Sequence, residues 1–235
     1  MSIRSLVADE SATASLGAWT RRRRSQQLVA AFPELSAMSV LDLGGTEHFW
    51  ESAVARPSSV VLLNPDEQPT TLPWIRSVAG DACDPPADIR ATQFDLVFSN
   101  STIEHVGGHL RRRQFADTVR TAAPRAWVQT PNRYFPLEPH WVLPAGQFIP
   151  PRPRAAIVRR WPLRPRGFPR DVRTALNEIM DIELLSRAQL AWYFPEATIR
   201  SERVLGLAKS LIAVIGAADG IRRTAPARPV GTGPS

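Results

Sequence analysis

Val40-Leu41-Asp42-Leu43-Gly44-Gly45-Thr46 is a short apolar run that carries one acid and stops at a glycine pair. Such a run suits a strand buried on both faces, with glycines forming a tight turn at its carboxyl end. The same figure recurs along the chain. Val60-Val61-Leu62-Leu63 stops at Asn64-Pro65, residues 75–79 at Gly80-Asp81, residues 94–98 at Ser99-Asn100, and Ala126-Trp127-Val128-Gln129-Thr130 at Pro131-Asn132. Helical periodicity separates some of these runs. Residues 19–32 place Leu28, Ala31 and Phe32 on one face, and residues 111–123 do the same with Phe115, Val119 and Ala122. Two later helical patterns (residues 172–182 and 186–193, with Ser186 as N-cap) precede two final strand-like runs at 197–203 and 210–215. Alternation of this kind predicts an α/β fold, a Rossmann-like doubly wound and mostly parallel seven-stranded sheet.

The 235 residues fit one domain over 1–216, with frayed residues at 1–18 and a disordered Gly/Pro/Arg tail at 217–235. The pattern breaks at 131–170, a stretch dense in proline and holding Tyr134, Phe135, Trp141, Phe148, Trp161 and Phe168. An uninterrupted helix is not expected there, so it reads as an ordered lid inserted after the fifth strand. The net charge is +7, yet Lys209 is the only lysine among 29 cations. Phosphate binders normally use both cations, so the arginine excess reads mainly as coding bias rather than a nucleic-acid footprint. Cys83 is the only cysteine, so neither an intrachain disulfide nor a cysteine-based zinc site is expected, and no metal is assigned. Residues 1–20 hold no apolar core of a signal peptide, and residues 204–218 are too short to span a bilayer; a cytoplasmic protein is expected.

In open α/β sheets ligands sit beyond the carboxyl ends of the strands. The dinucleotide fingerprint G-x-G-x-x-G is absent after the first strand, and the only tyrosines, Tyr134 and Tyr193, form no Tyr-x-x-x-Lys pair. A nicotinamide enzyme is therefore disfavoured.

The ordered series Val40-Leu41-Asp42-Leu43-Gly44-Gly45, Gly80-Asp81-Ala82 and Phe94-Asp95-Leu96-Val97-Phe98-Ser99-Asn100-Ser101-Thr102-Ile103-Glu104-His105-Val106 resembles the class I S-adenosylmethionine-dependent methyltransferases. Within that class it resembles the broad type 11/12 small-molecule group, which includes the quinone-biosynthesis methyltransferases. The likeness covers roughly residues 38–132, and Ile103-Glu104-His105-Val106 is its most specific part. It implies S-adenosyl-L-methionine as cofactor, met at its methionine end by Asp42, Gly44, Gly45 and Thr46. It further implies Asn64 near the ribose, Asp81 and Ala82 at the adenine edge, and Ser99, Asn100 and His105 along the cofactor near the sulfonium. Each has a plainer alternative: Asp42 could cap its loop, Asp81 could be a turn acid, and His105 could open a helix without meeting a ligand. The chain departs from the family at Thr46 and His48, where further glycines are usual, and at Asn64, where Asp or Glu is usual.

Methylation of an oxygen needs a base poised near neutral pH, which suits histidine. The stretch after the fifth strand supplies Arg133, Tyr134, Phe135, Glu138, His140 and Trp141 on the same rim. His140 or His105 is the expected base, with Arg133, Glu138 and the aromatics lining the acceptor. His48 and His109 are weaker candidates. The turn after the fourth strand lacks the proline and aromatic that stack a flipped base, and Glu104 has no second glutamate to clamp a guanidinium. The expected acceptor is thus a small or lipid-like molecule methylated at oxygen. An RNA methyltransferase and a catalytically degenerate binding protein are the alternatives. Arg21 to Arg24 and Arg111 to Arg113 read as solvated helix faces. The arginines of residues 150–170 interleave with Ile157, Trp161 and Phe168, which suits contact with an amphiphilic acceptor or an anionic membrane surface.

Overall fold

The structure, a computed structural model, describes residues 16–163 and 169–218. In chain order it contains α1 (Leu16–Ala31), β1 (Ser39–Leu43), α2 (Glu47–Glu51), β2 (Ser59–Asn64), β3 (Ile75–Ala79), α3 (Ala87–Ala91), β4 (Leu96–Asn100), α4 (His109–Ala122) and β5 (Ala126–Pro131). It continues with β6 (Leu137–Glu138), β7 (Leu143–Pro144), α5 (Pro151–Val158), α6 (Val172–Met180), α7 (Arg187–Tyr193), β8 (Thr198–Val204) and β9 (Leu207–Ile215).

Seven strands form one sheet in the order β3-β2-β1-β4-β5-β9-β8. Pairings among β1 to β5 are parallel, whereas β9 runs antiparallel to both β5 and β8. The order reverses between β1 and β4, so the switch point lies beside the Asp42–Gly45 turn. Successive residues of a strand face opposite sides, and both sides are buried. Leu41, Leu43, Val97 and Val128 pack with α4 and α7 through Phe115, Val119, Leu190 and Phe194. Val40, Leu62, Phe98 and Trp127 pack with Leu28, Phe32 and Trp50 on the other side. Burial on two faces explains why these strands read as unbroken apolar runs.

Several expectations need correction. The fourth strand begins at Leu96 rather than at residue 94. The proline-dense stretch contains regular structure: a β6–β7 hairpin and the eight-residue α5. Pro151 and Pro153 occupy the first turn of α5, where a missing N–H costs nothing. Trp141, Leu143, Ala155 and Val158 form a small separate core with Ala175 and Ile179 of α6, so this elaboration runs on past residue 170. The arginines are not uniformly solvated either. Arg24 and Arg112 are buried on α1 and α4, and Arg154 is buried on α5. Arg154 donates to the Gly146 and Ile179 carbonyls, at 3.4 and 3.1 Å, and lies over the Trp141 ring. Residues 16–18, expected to be frayed, belong to α1, which starts at Leu16; residues 1–15, the expected tail from residue 219 on, and Arg164, Arg166 and Phe168 lie outside the described residues. Among the described residues, no helix is long and apolar enough to cross a membrane.

Candidate functional site

The carboxyl ends of β1, β4 and β5 share one rim. At β1 the chain turns through Gly44, whose φ of +79° is one that side chains rarely adopt. A Cβ there would lie 2.3 Å from Thr102 Oγ1. Thr102 Oγ1 and Ser99 Oγ both donate to the Leu43 carbonyl, at 2.8 and 3.0 Å, and so pin the turn to the start of the β4 loop. The Asp42 carboxylate fills the space under Gly45, where a Cβ would come within 1.8 Å of Oδ2. Trp50 Nε1 donates to that Oδ2 at 2.8 Å, while Oδ1 is buried without a hydrogen-bond partner. Burial pushes the Asp42 carboxyl up to about 7, only partly offset by the indole.

The remaining cofactor candidates fall into two groups. Asn64 ends β2 beside the turn and donates from Nδ2 to the Gly45 carbonyl at 3.0 Å, leaving its amide oxygen as an acceptor. Thr46 precedes α2 in extended backbone, next to the glycine pair. Asp81 is spent elsewhere: Arg111 Nη2 donates to both its oxygens and the Cys83 amide donates to Oδ1. Desolvation raises its pKa, but these donors and the guanidinium charge outweigh it, holding the carboxyl below its ordinary value. Ala82 follows it and packs against the core. Asn100 accepts through Oδ1 from Arg24, whose guanidinium also meets Glu202 at 2.7 Å.

The β4 and β5 loops bring together the two expected bases. Ile103, Glu104 and His105 lie in a turn, with the helix starting only at His109, so His105 does not open α4. The His105 and His140 rings meet edge to face, 5.0 Å between centroids. His140 Nδ1 lies 2.7 Å from Glu138 Oε1, and the other Glu138 oxygen accepts from the Trp141 amide at 2.9 Å. Sequence reasoning gave Glu104 no role of its own. Its side chain is fully buried, accepts from Thr130 Oγ1 at 2.9 Å, and is pushed up to about 7 by that burial. Opposing pulls come from its own backbone amide, His140, Thr130 and Arg24. The signal was present in the adjacent acid–histidine pair.

Of the expected acceptor residues, Tyr134 is exposed and stacks on Phe148, and Phe135 is half-buried. Trp141 is buried against the small core of α5 and α6 and also borders the cavity that Arg133 and Glu138 line. Arg133 and Glu138 border a cavity of about 130 Å³ together with Gln147 and Arg154. A larger hollow of about 230 Å³ lies between α4 and α7, around His109, Glu183 and Trp192.

The sequence matches no protein-family model and no curated protein. Solved structures match in fold. The N-methyltransferase NodS from Bradyrhizobium japonicum WM9, in complex with S-adenosylhomocysteine, is 14% identical with a TM-score of 0.50, covering 90% of this chain and 94% of its own. The 1,6-didemethyltoxoflavin-N1-methyltransferase of Burkholderia thailandensis, with bound 1,6-didemethyltoxoflavin and S-adenosylhomocysteine, is 16% identical at a TM-score of 0.50, covering 86% and 81%. A protein from Rhodobacter sphaeroides described as a putative zinc-dependent alcohol dehydrogenase is 11% identical at 0.52, covering 83% and 89%. The chain thus has the Rossmann-like fold of class I S-adenosylmethionine-dependent methyltransferases. Fold likeness at this identity fixes architecture and leaves chemistry to the site.

Proposed function

We propose that this protein transfers a methyl group from S-adenosylmethionine to an oxygen of a small-molecule acceptor. When bound, the cofactor supplies an electrophilic methyl on a sulfonium. The chain itself must align the acceptor, exclude water and remove a proton. One observation carries the reading. The pinned glycine turn, with a buried unpartnered Asp42 oxygen beneath it, shares a rim with a carboxylate-braced imidazole pair.

Asp42, Gly44, Gly45 and Thr46 would hold the amino-acid end of the cofactor, and Asn64 would accept from the ribose hydroxyls. The main chain at Asp81 and Ala82 would meet the adenine edge, since the Asp81 side chain is committed to Arg111. Ser99 and Asn100 would line the floor between. A carboxylate accepting at His140 Nδ1 keeps the proton on that nitrogen, so Nε2 offers the lone pair that takes the acceptor's proton. The exposed, stacked Tyr134 and Phe148 suit an acceptor with an apolar part, and the exposed Arg152 and Arg160 at either end of α5 suit an anionic group or an anionic lipid face.

Calorimetry with S-adenosylmethionine and S-adenosylhomocysteine tests the reading. A saturable heat with matching thermal stabilisation is expected. No heat and no stabilisation at millimolar cofactor overturns it.

A further inference from the structure

Glu104, His105 and His140 each offer a ligand atom, and these atoms lie within 4.8 Å of one another. They arrive from two neighbouring strand ends, Glu104 and His105 after β4 and His140 after β5. From these three side chains we infer that the protein binds a divalent transition-metal ion at this corner of the rim.

Three observations support it. Glu104 is fully buried, and with Oε2 occupied by Thr130 its Oε1 has no hydrogen-bond partner. A buried polar atom left so is costly unless something meets it, and a cation meets it best. Second, Glu138 is itself buried and fixes His140 through Nδ1, the support that orients most metal-bound histidines and leaves Nε2 deprotonated for the ion. Third, the two imidazole planes stand at 85°, so two ring nitrogens can face one point without clashing. Metal–ligand bonds of about 2.1 Å set donor atoms about 3–3.5 Å apart. Binding of the ion therefore draws the three donor atoms closer together than 4.8 Å.

The donor set names the class of ion. Two imidazoles and one carboxylate suit Zn(II), Co(II), Fe(II) or Mn(II), whereas Mg(II) and Ca(II) prefer all-oxygen shells. Three protein ligands also leave positions open for a small-molecule oxygen. Resting here on the methyl-transfer reading, that oxygen is the acceptor's hydroxyl. The ion lowers the hydroxyl's pKa and its proton leaves to water, so that with the ion bound both imidazoles are ligands and neither is the base. Only Glu138 then keeps its role unchanged.

The test uses the full chain, stripped with a chelator and titrated with Co(II). One equivalent should bind with a visible d–d absorption band, and Zn(II) should displace it. His105→Ala and His140→Ala should each weaken binding at least 100-fold, and Glu138→Gln about 10- to 100-fold without removing a ligand. His48→Ala, at an exposed imidazole on α2 outside the cluster, should leave the Co(II) affinity unchanged. The wild-type Co(II) form should also show two exchangeable, hyperfine-shifted imidazole N–H resonances, a readout that needs no variant. Absence of Co(II) binding, or affinity indifferent to His105 and His140, overturns the ion. Cofactor binding without metal uptake leaves methyl transfer standing with His140 as base. Metal uptake without cofactor binding removes methyl transfer and keeps the ion.

Discussion

Arg24 on α1 and Glu202 on β8 form an ion pair of 2.7 Å in which both side chains are nearly excluded from water. The pair ties the first helix to the edge of the sheet, and its second guanidinium nitrogen reaches Asn100 at the end of β4. Removing one partner of such a pair strands the other charge. Glu202→Ala should therefore cost about 3–5 kcal/mol. Arg24→Met combined with Glu202→Leu should cost far less than Glu202→Ala alone. Urea unfolding of the three proteins checks this; equal losses would show the pair contributes no more than packing.

Gly45 offers a second test, because its backbone does not need positive φ and the atoms nearest to an added side chain all belong to the Asp42 carboxylate. Gly45→Ala should destabilise by about 1–3 kcal/mol, as overpacking does. In an Asp42→Ser background the same change should be nearly neutral. A double-mutant cycle measured by thermal unfolding reads the coupling.

Burial sets the sign of a pH effect. Asp42 moves from an ordinary value of 3.8 to about 7 in the folded protein, so between those values the folded state holds a proton that the unfolded state has released. Stability consequently falls as pH rises from about 4 to 7, by up to roughly 4 kcal/mol from this group. Asp42→Asn should flatten that slope while keeping a group of the same size next to Trp50. Unfolding midpoints at pH 5 and 8 provide the comparison, and parallel slopes for the two proteins would refute the assignment.

Asn64 stands where the resembling family carries an acid, and simple logic would restore Asp to tighten cofactor binding. The geometry predicts the opposite. Asn64 donates to the Gly45 carbonyl, and a carboxylate there would lose that bond and face an oxygen. Asn64→Asp should lower stability by about 1–3 kcal/mol and weaken cofactor binding. Calorimetry on the variant decides it; a tighter complex would mean that the family pattern, not the turn, governs the position.

The strands were legible because burial on both faces leaves a continuous apolar run, and the switch point followed from where β1 ends in two glycines. The α5 helix was hidden by prolines that sit harmlessly in its first turn. Arg24 and Arg112 looked solvated because their partners, Glu202 and Glu183, lie 178 and 71 positions away. Local periodicity carries no trace of such distant pairing. Ser186 reads correctly as a cap because its partner, Gln189, is three residues on and completes a capping box. The convergence of Glu104, His105 and His140 depends on β4 and β5 being neighbours, which only the folded sheet supplies. Asp81 shows the same limit from the other side: its motif points to adenine, while a helix residue thirty positions on, Arg111, engages its side chain.

The antiparallel seat of β9 has a consequence for synthesis. Residues of β5 pair on one side with β4 and on the other with β9, from Ala126 opposite Ile215 to Pro131 opposite Ser210. While the ribosome has released β5 but not β9, an apolar strand that is buried in the finished fold stands as a bare sheet edge. Translation at about 5–20 residues per second leaves that edge open for seconds. The nascent chain is most vulnerable to aggregation in this interval, and chaperone dependence should fall away once β9 has emerged.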